Sequence, residues 1–344
     1  MNVRLRAIAL ALLAALPGGC ASLAPEDRFR AYPAQGEMVE IENGRRLQLD
    51  CRGAGTPVII LQAGGDVTGS LAWAPVHDQL AAMTRTCAYS RAGILWSDPR
   101  TDPFHPKEVA TDLHAALTRT GVQGPYILVG HSRGGLYSLI FAGLFPDDVA
   151  GLVLADSSHP DQDRELRSAG VARKPPVIAN PFLTQLLRWS GLLQLSPAQA
   201  DPAILGPVQA FYAKSAVANA REAAGRAQTL ALAGEYRDLR NWPLIVLARE
   251  PPEQTLARTT LDARNAYLLS EDGPSPEGDS LSAEETVWRR LQSDLATWSS
   301  KGRLEVVPNS THAFFFLKPQ IVVKAVSEIL AAARVMRAPA PDID

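Results

Sequence analysis

The run Tyr126-Ile127-Leu128-Val129-Gly130-His131-Ser132-Arg133-Gly134-Gly135 sets a serine between two glycines. An apolar strand-like stretch leads into it, and an apolar helix-like stretch from Leu136 to Phe145 follows. A bare Gly-x-Ser-x-Gly says little; the flanking strand and helix carry the specificity. On such a turn the serine oxygen stands clear of the sheet, and the glycines leave room for neighbouring chain. The N–H of Arg133 opens the helix, where it can stabilise a developing oxyanion. The chemistry this suits is nucleophilic attack on an acyl carbon, which needs a base because a serine hydroxyl is a poor nucleophile at neutral pH.

Six histidines are available as that base. His131 adjoins the serine, but the turn is expected to direct it the other way. His77, His105 and His114 precede the serine and fall in or beside helices. His159 follows the strand-like run Gly151–Ala155 and is a second candidate. His312, in Asn309-Ser310-Thr311-His312-Ala313-Phe314, follows the run Leu304–Val307. That places it at the carboxyl edge of the sheet with Ser132, so His312 is the expected base.

The elements that must hold these residues alternate from about residue 39, which predicts an α/β architecture with a mainly parallel sheet. Strand signals are Met38–Glu42, Arg46–Cys51, Val58–Gln62, Thr86–Ser90, Tyr126–Val129, Gly151–Ala155, Leu244–Ala248 and Leu304–Val307. Continuous apolar runs such as Val58-Ile59-Ile60-Leu61 suit strands covered on both faces. Helices are predicted near 72–83, 106–120, 134–145, 283–300 and 319–337. Residues 160–240 break the alternation and read as a helical insertion, with Phe182, Leu183, Leu186, Leu187, Trp189, Leu192 and Leu193 and then an Ala-rich stretch from Val208 to Leu232. Residues 271–282 read as an exposed loop, and 338–344 as a frayed tail.

The chain has 344 residues, a net charge of −2, 46% hydrophobic and 20% charged residues. That composition supports a large core and excludes a disordered chain or a multi-span membrane protein. Near-neutral charge gives no footprint for nucleic acid. No His/Asp/Cys cluster has metal-ligand spacing, and no cofactor is implied. Residues 1–20 carry Arg4 and Arg6, a short apolar run from Ala7 to Leu16, and Pro17-Gly18-Gly19-Cys20. This reads as a signal peptide, and small residues before Cys20 resemble a bacterial lipobox. Lipidation of Cys20 would leave residues 21–37 as a tether, place the protein in the periplasm or on the outer membrane, and make the lipid its only membrane contact. Cys51 and Cys87 remain as a pair or as two buried thiols.

With these motifs in place, the sequence resembles the α/β-hydrolase fold family over roughly residues 38–337. The family order, Gly-x-Ser-x-Gly, then an acid, then a histidine after the last strand, is matched. The resemblance implies an eight-stranded, mostly parallel sheet with helices on both faces, a core at 38–159 and 241–337, and a helical cap at 160–240. Ala63-Gly64-Gly65-Asp66 stands where the family has its oxyanion loop, with Ala63 replacing the usual His, so Gly65 N–H is implied as the second oxyanion donor beside Arg133. Tyr89-Ser90-Arg91-Ala92-Gly93 with Ser97-Asp98-Pro99 resembles another family segment, with Ser90 in place of the usual Asp. Asp156-Ser157-Ser158-His159-Pro160 and Trp73 are similar as well. Because the family pairs its second and fourth strands, the resemblance implies a Cys51–Cys87 disulfide. In most relatives the acid follows the strand matching Leu244–Ala248, which here runs into Arg249-Glu250; in a minority it sits at the position of Asp156. Asp156 is favoured, Glu250 is the alternative, and Asp262 and Asp272 stand behind them. The implied activity is serine hydrolysis of a small acyl substrate, a carboxylic ester by default, with amide, peptide, thioester or lactone bonds as alternatives. Arg133 could also pair with a substrate carboxylate, or be a plain surface arginine. A fold that lost its chemistry, as an envelope binding protein or interaction module, is the remaining alternative. The oligomeric state is not readable.

Overall fold

A computed structural model describes residues 25–171, 201–251 and 279–337. Outside those residues lie the proposed signal peptide with Cys20, the apolar run from Phe182 to Leu193, Asp262, Asp272, most of the 271–282 loop and the 338–344 tail. The described residues of the first of two units, which ends at Pro33, hold helix α1 at Pro25–Ala31, within the stretch expected to be a tether. Everything below belongs to the second unit, Ala34–Asp344.

Eight strands make one sheet in the order β1-β2-β4-β3-β5-β6-β7-β8. They are β1 (Glu37–Glu40), β2 (Arg46–Arg52), β3 (Val58–Gln62), β4 (Thr86–Ser90), β5 (Tyr126–His131), β6 (Val149–Ala155), β7 (Leu244–Glu250) and β8 (Gly302–Pro308). β2 runs antiparallel to both β1 and β4, and all other pairs are parallel. β1 ends two residues before its expected end. Asn43, at φ +60° in the turn Glu42–Gly44, reverses the chain into β2 there.

Strand alternation sorts the apolar runs into two cores. Val58 and Ile60 pack on one face with Leu113 and Leu136, and Ile59 and Leu61 on the other with Val76, Leu80 and Val322. The first face is covered by α3 (Pro106–Arg119) and α4 (Arg133–Leu144), the second by α2 (Ala74–Ala81) and α10 (Pro319–Arg337). α3 begins where Pro106 fixes the first helical position and the His105 side chain accepts from Lys107 N. Its buried stripe, Ala110, Leu113, Ala116 and Leu117, has the helical period.

Between β6 and β7 the described residues hold α5 (Gln162–Ser168), α6 (Pro202–Ala224) and α7 (Arg226–Ala233). The Ala-rich stretch is thus two helices. They part at Gly225, where a Cβ would lie 2.1 Å from the Phe104 ring. Two more helices, α8 (Asp279–Thr297) and α9 (Phe314–Leu317), flank β8. Cys51 and Cys87 face each other in the β2–β4 register and form a disulfide.

Candidate active site

Strand register brings the candidate residues together. β5 and β6 are parallel neighbours, with His131 opposite Ala155. Ser132 and Asp156 therefore leave adjacent strands, roughly 4.8 Å apart, at the same level of the sheet. Both residues turn sharply, with φ +53° and +45°. Ser132, at ψ −125°, heads α4 in a conformation that costs a side-chain-bearing residue about 1–3 kcal/mol. Crowding holds it: a Cβ on Gly130 would lie 2.6 Å from Gly134 O, and one on Gly134 would lie 2.2 Å from Gln62 O. The Ser132 carbonyl accepts from Ser158 N and Gly135 N, tying the turn to the segment after β6.

His312 reaches the same place from β8, two strands beyond β6. The loop after β8 crosses the end of β7, where Ser310 N donates to Glu250 O and Ser310 Oγ donates to Val307 O. His312 Nδ1 then donates to Asp156 Oδ2 at 2.6 Å. The His131 ring lies between His312 and Phe315, with centroid distances of 4.5 and 4.1 Å, and its Nε2 donates to the His312 carbonyl at 2.9 Å. His131 supports the loop that carries His312, a role the sequence did not suggest.

Asp156 is fully buried, and four donors reach it. Beside His312 these are Arg249 N, Arg249 Nη1 and Trp288 Nε1, the last two at 2.8 and 2.7 Å. Burial alone would raise its pKa. The Arg249 charge and the hydrogen bonds from His312 and Trp288 outweigh that and hold the carboxyl well below the usual carboxylate range. Arg249 also grips Glu285 through Nε and Nη2, and lies over the Trp288 ring. β7 thus presents a guanidinium to the site, while its neighbour Glu250 is half exposed and pairs with Arg289. The other histidines have partners elsewhere. His159 accepts from Asp161 N at Nδ1 and donates from Nε2 to Asp294. His77 bonds Thr86 O, His114 bonds Asp148, and His105 caps α3.

The loop Ala63-Gly64-Gly65 follows β3 and lies beside Ser132, since a Cβ on Gly64 would come 3.2 Å from the Ser132 Cβ. Arg91 holds this loop, donating from Nη1 to Ala63 O and from Nη2 to Gly64 O, both at 2.7 Å. Its Nε donates to Glu222 Oε1 on α6 at 2.8 Å. Arg133 Nη1 donates to Glu222 Oε2 at 2.7 Å, and the Tyr137 hydroxyl donates to the same oxygen. Arg133 is therefore not a surface arginine, and its guanidinium is engaged by a protein carboxylate rather than held out for a substrate. Burial pushes the Glu222 carboxyl up, but the Arg91 and Arg133 charges pull its pKa below the ordinary value. The sequence signal for Glu222, one acid in an Ala-rich helix, is indistinguishable from that of a solvated charge.

A cavity of about 280 Å³ opens between α6 and residues 91–112. Arg91 and Glu222 form part of its wall; Ser132, Asp156 and His312 do not line it. Among the described residues no cluster of three or more His, Cys, Asp or Glu could hold a metal, and no helix is long and apolar enough to cross a membrane.

Comparison with known proteins agrees with this architecture. A family model described as alpha/beta hydrolase fold matches residues 56–191. An uncharacterised protein of Schizosaccharomyces pombe is 39% identical over 82 residues, which are 24% of this chain and 15% of that one. The 2-(acetamidomethylene)succinate hydrolase of Mesorhizobium japonicum is 32% identical over 111 residues, 32% of this chain and 40% of that one. The chain thus spans less than half the length of these relatives. Among solved structures, a thermophilic esterase from Thermogutta terrifontis superposes with a TM-score of 0.55 at 19% identity, over 87% of this chain and 99% of that one. The chain has the α/β-hydrolase fold.

Proposed function

We propose that this chain is a serine hydrolase that cleaves a carboxylic ester through an acyl-enzyme on Ser132. The observation that carries the reading is the buried 2.6 Å bond from His312 Nδ1 to Asp156, at the sheet edge where Ser132 heads α4. With its Nδ1 proton committed to Asp156, His312 keeps a lone pair on Nε2. It takes the Ser132 proton as Oγ attacks the substrate carbonyl, and the N–H groups of Gly65 and Arg133 receive the oxyanion. The proton then passes to the departing alkoxide. Water attacks the acyl-enzyme with His312 again as base, which returns the serine and releases the acid. An inert binding protein has no need of a fully satisfied acid behind the histidine, and this weighs for chemistry.

The ester reading is supported by the likeness of this fold to that of solved esterases. The chain is further proposed to be exported and anchored through a lipid on Cys20. The Cys51–Cys87 disulfide supports an oxidising compartment. Residues 160–240 are proposed as the cap over the site. Labelling by a fluorophosphonate probe, lost in Ser132→Ala, tests the nucleophile, and a p-nitrophenyl ester series from acetate to palmitate reads the acyl preference. No labelling of folded wild-type protein overturns the hydrolase reading.

A further inference from the structure

We propose that Glu222, on the cap helix α6, is a positioning residue for both oxyanion donors. The inference rests on the reading of Ser132 as nucleophile, and it concerns a residue far from the reacting atoms in sequence.

Peptide planarity carries the argument. The Gly64 carbonyl and the Gly65 N–H belong to one peptide unit, in which C=O and N–H point opposite ways. Arg91 Nη2 pulls the Gly64 carbonyl toward itself at 2.7 Å, and Nη1 holds the preceding carbonyl, Ala63 O, at the same distance. The Gly65 N–H is thereby fixed to point away from Arg91. What orients Arg91 is Glu222, through the Nε–Oε1 bond. The other donor, Arg133 N–H, heads α4, and the Arg133 side chain is bound by the second oxygen of the same carboxylate. One side chain therefore sets the relative position of two donor segments that are 68 residues apart (133 − 65).

α6 is built to hold that side chain still. Its Lys214 Nζ donates to Ser97 O, its Ser215 Oγ accepts from Leu95 N, and its Arg221 donates to Arg100 O and Asp102 O. These positions and Glu222 fall two turns apart on one face, all seated on the segment after β4. A helix fastened this way acts as a strut of the site and does not swing as a lid.

The test compares Glu222→Gln and Arg91→Lys with wild type, with Arg226→Gln, which breaks an ion pair to Asp163 outside the network, as a control. Melting curves establish folding. For folded Glu222→Gln, kcat on a p-nitrophenyl ester should fall about 10- to 100-fold, a fraction of the 10²–10³-fold seen when an oxyanion donor is removed outright, while KM changes less than about threefold. The inhibition constant of an alkyl boronic acid, which forms a tetrahedral adduct, should weaken in proportion to kcat, while that of the product carboxylate should hold. Arg91→Lys, with one donor head for two carbonyls, should show the same split, and Arg226→Gln should stay within about twofold of wild type. Unchanged kcat, or a loss of kcat without matching loss of boronate affinity, overturns the proposal. So does loss of fold in both Glu222→Gln and Arg91→Lys, which would assign the network to stability. Absence of fluorophosphonate labelling in wild type is a different failure, since it removes the hydrolase reading itself.

Discussion

Replacing Asp156 by Asn keeps its shape and removes its charge. In the proposed mechanism His312 becomes an imidazolium as Ser132 attacks, and Asp156 sits 2.6 Å from its Nδ1. With charge centres about 4 Å apart and an effective dielectric of about 20, the lost attraction is about 4 kcal/mol. At about 1.4 kcal/mol per tenfold, that is a loss of about 10³ in kcat. The Asn amide adds to this, because an N–H donated to Nδ1 places the imidazole proton on Nε2, the wrong atom for a base. Arg249 loses one partner but keeps Glu285, so a part of the roughly 3–5 kcal/mol expected on breaking a buried pair is recovered. The assay is kcat on a p-nitrophenyl ester at a temperature where circular dichroism shows both proteins folded, with Glu250→Gln alongside. Glu250→Gln should stay within about twofold, since exposed pairs such as Glu250–Arg289 contribute at most about 1 kcal/mol. A folded Asp156→Asn with more than a tenth of wild-type activity, or a larger loss in Glu250→Gln, would refute the assignment of the acid.

Three further outcomes follow from the structure. Removing the disulfide by Cys51→Ala with Cys87→Ala should lower unfolding free energy by about 4 kcal/mol, from a sequence separation of 36 residues; a loss under about 1 kcal/mol in urea titration would refute it. Gly134→Ala puts a methyl against Gln62 O and Ala63 O; it should cost about 1–3 kcal/mol in stability and abolish fluorophosphonate labelling, and normal labelling would show that the elbow tolerates the shift. Acidification should lower the melting temperature in two stages. Burial lowers the pKa of His159 from 6.5, so the unfolded chain takes up its proton first and stability falls as pH drops below that value. Asp156 and Glu222, lowered from 3.8 and 4.5, stabilise fully above those values and lose that contribution as pH falls toward their folded pKa values. A melting temperature that rises as pH falls from 7 to about 5 contradicts the sign assigned to His159, and one that rises as pH falls further below about 4 contradicts those assigned to Asp156 and Glu222.

Local pattern made part of this readable from sequence. Gly130 and Gly134 announce close backbone approach, and the structure shows what approaches each of them. The disulfide followed from strand order in a resembling fold, and it joins residues directly opposite on β2 and β4. The acid stayed open because sequence does not print register: only the pairing of His131 with Ala155 puts Asp156 beside Ser132. Long-range polar contacts were not readable at all. Arg91 and Glu222 are 131 residues apart, and neither spacing nor period links them. Arg249 read as the lead-in to a candidate acid, whereas its guanidinium is a partner of Asp156. The helix break at Gly225 was missed because its cause, the Phe104 ring, lies in another part of the chain.

The two buried carboxylates of the site are balanced by arginines in opposite proportion. Behind His312, Arg249 is shared by Asp156, Glu285 and, at 3.9 Å, Glu284, so the four side chains are net negative. Behind the oxyanion loop, Glu222 is shared by Arg91 and Arg133, and those three carry one net positive charge. Asp66, at the end of that loop, opposes the positive side, and burial pushes it toward the protonated form. In the proposed acyl transfer, positive charge appears on His312 and negative charge on the substrate oxygen. The fixed polarity therefore matches charge that exists only in the transition state, and interactions of that kind raise kcat rather than tighten substrate binding. It is for this reason that Asp156→Asn and Glu222→Gln, at opposite ends of the same polarity, are both expected to act on kcat and to leave KM nearly unmoved.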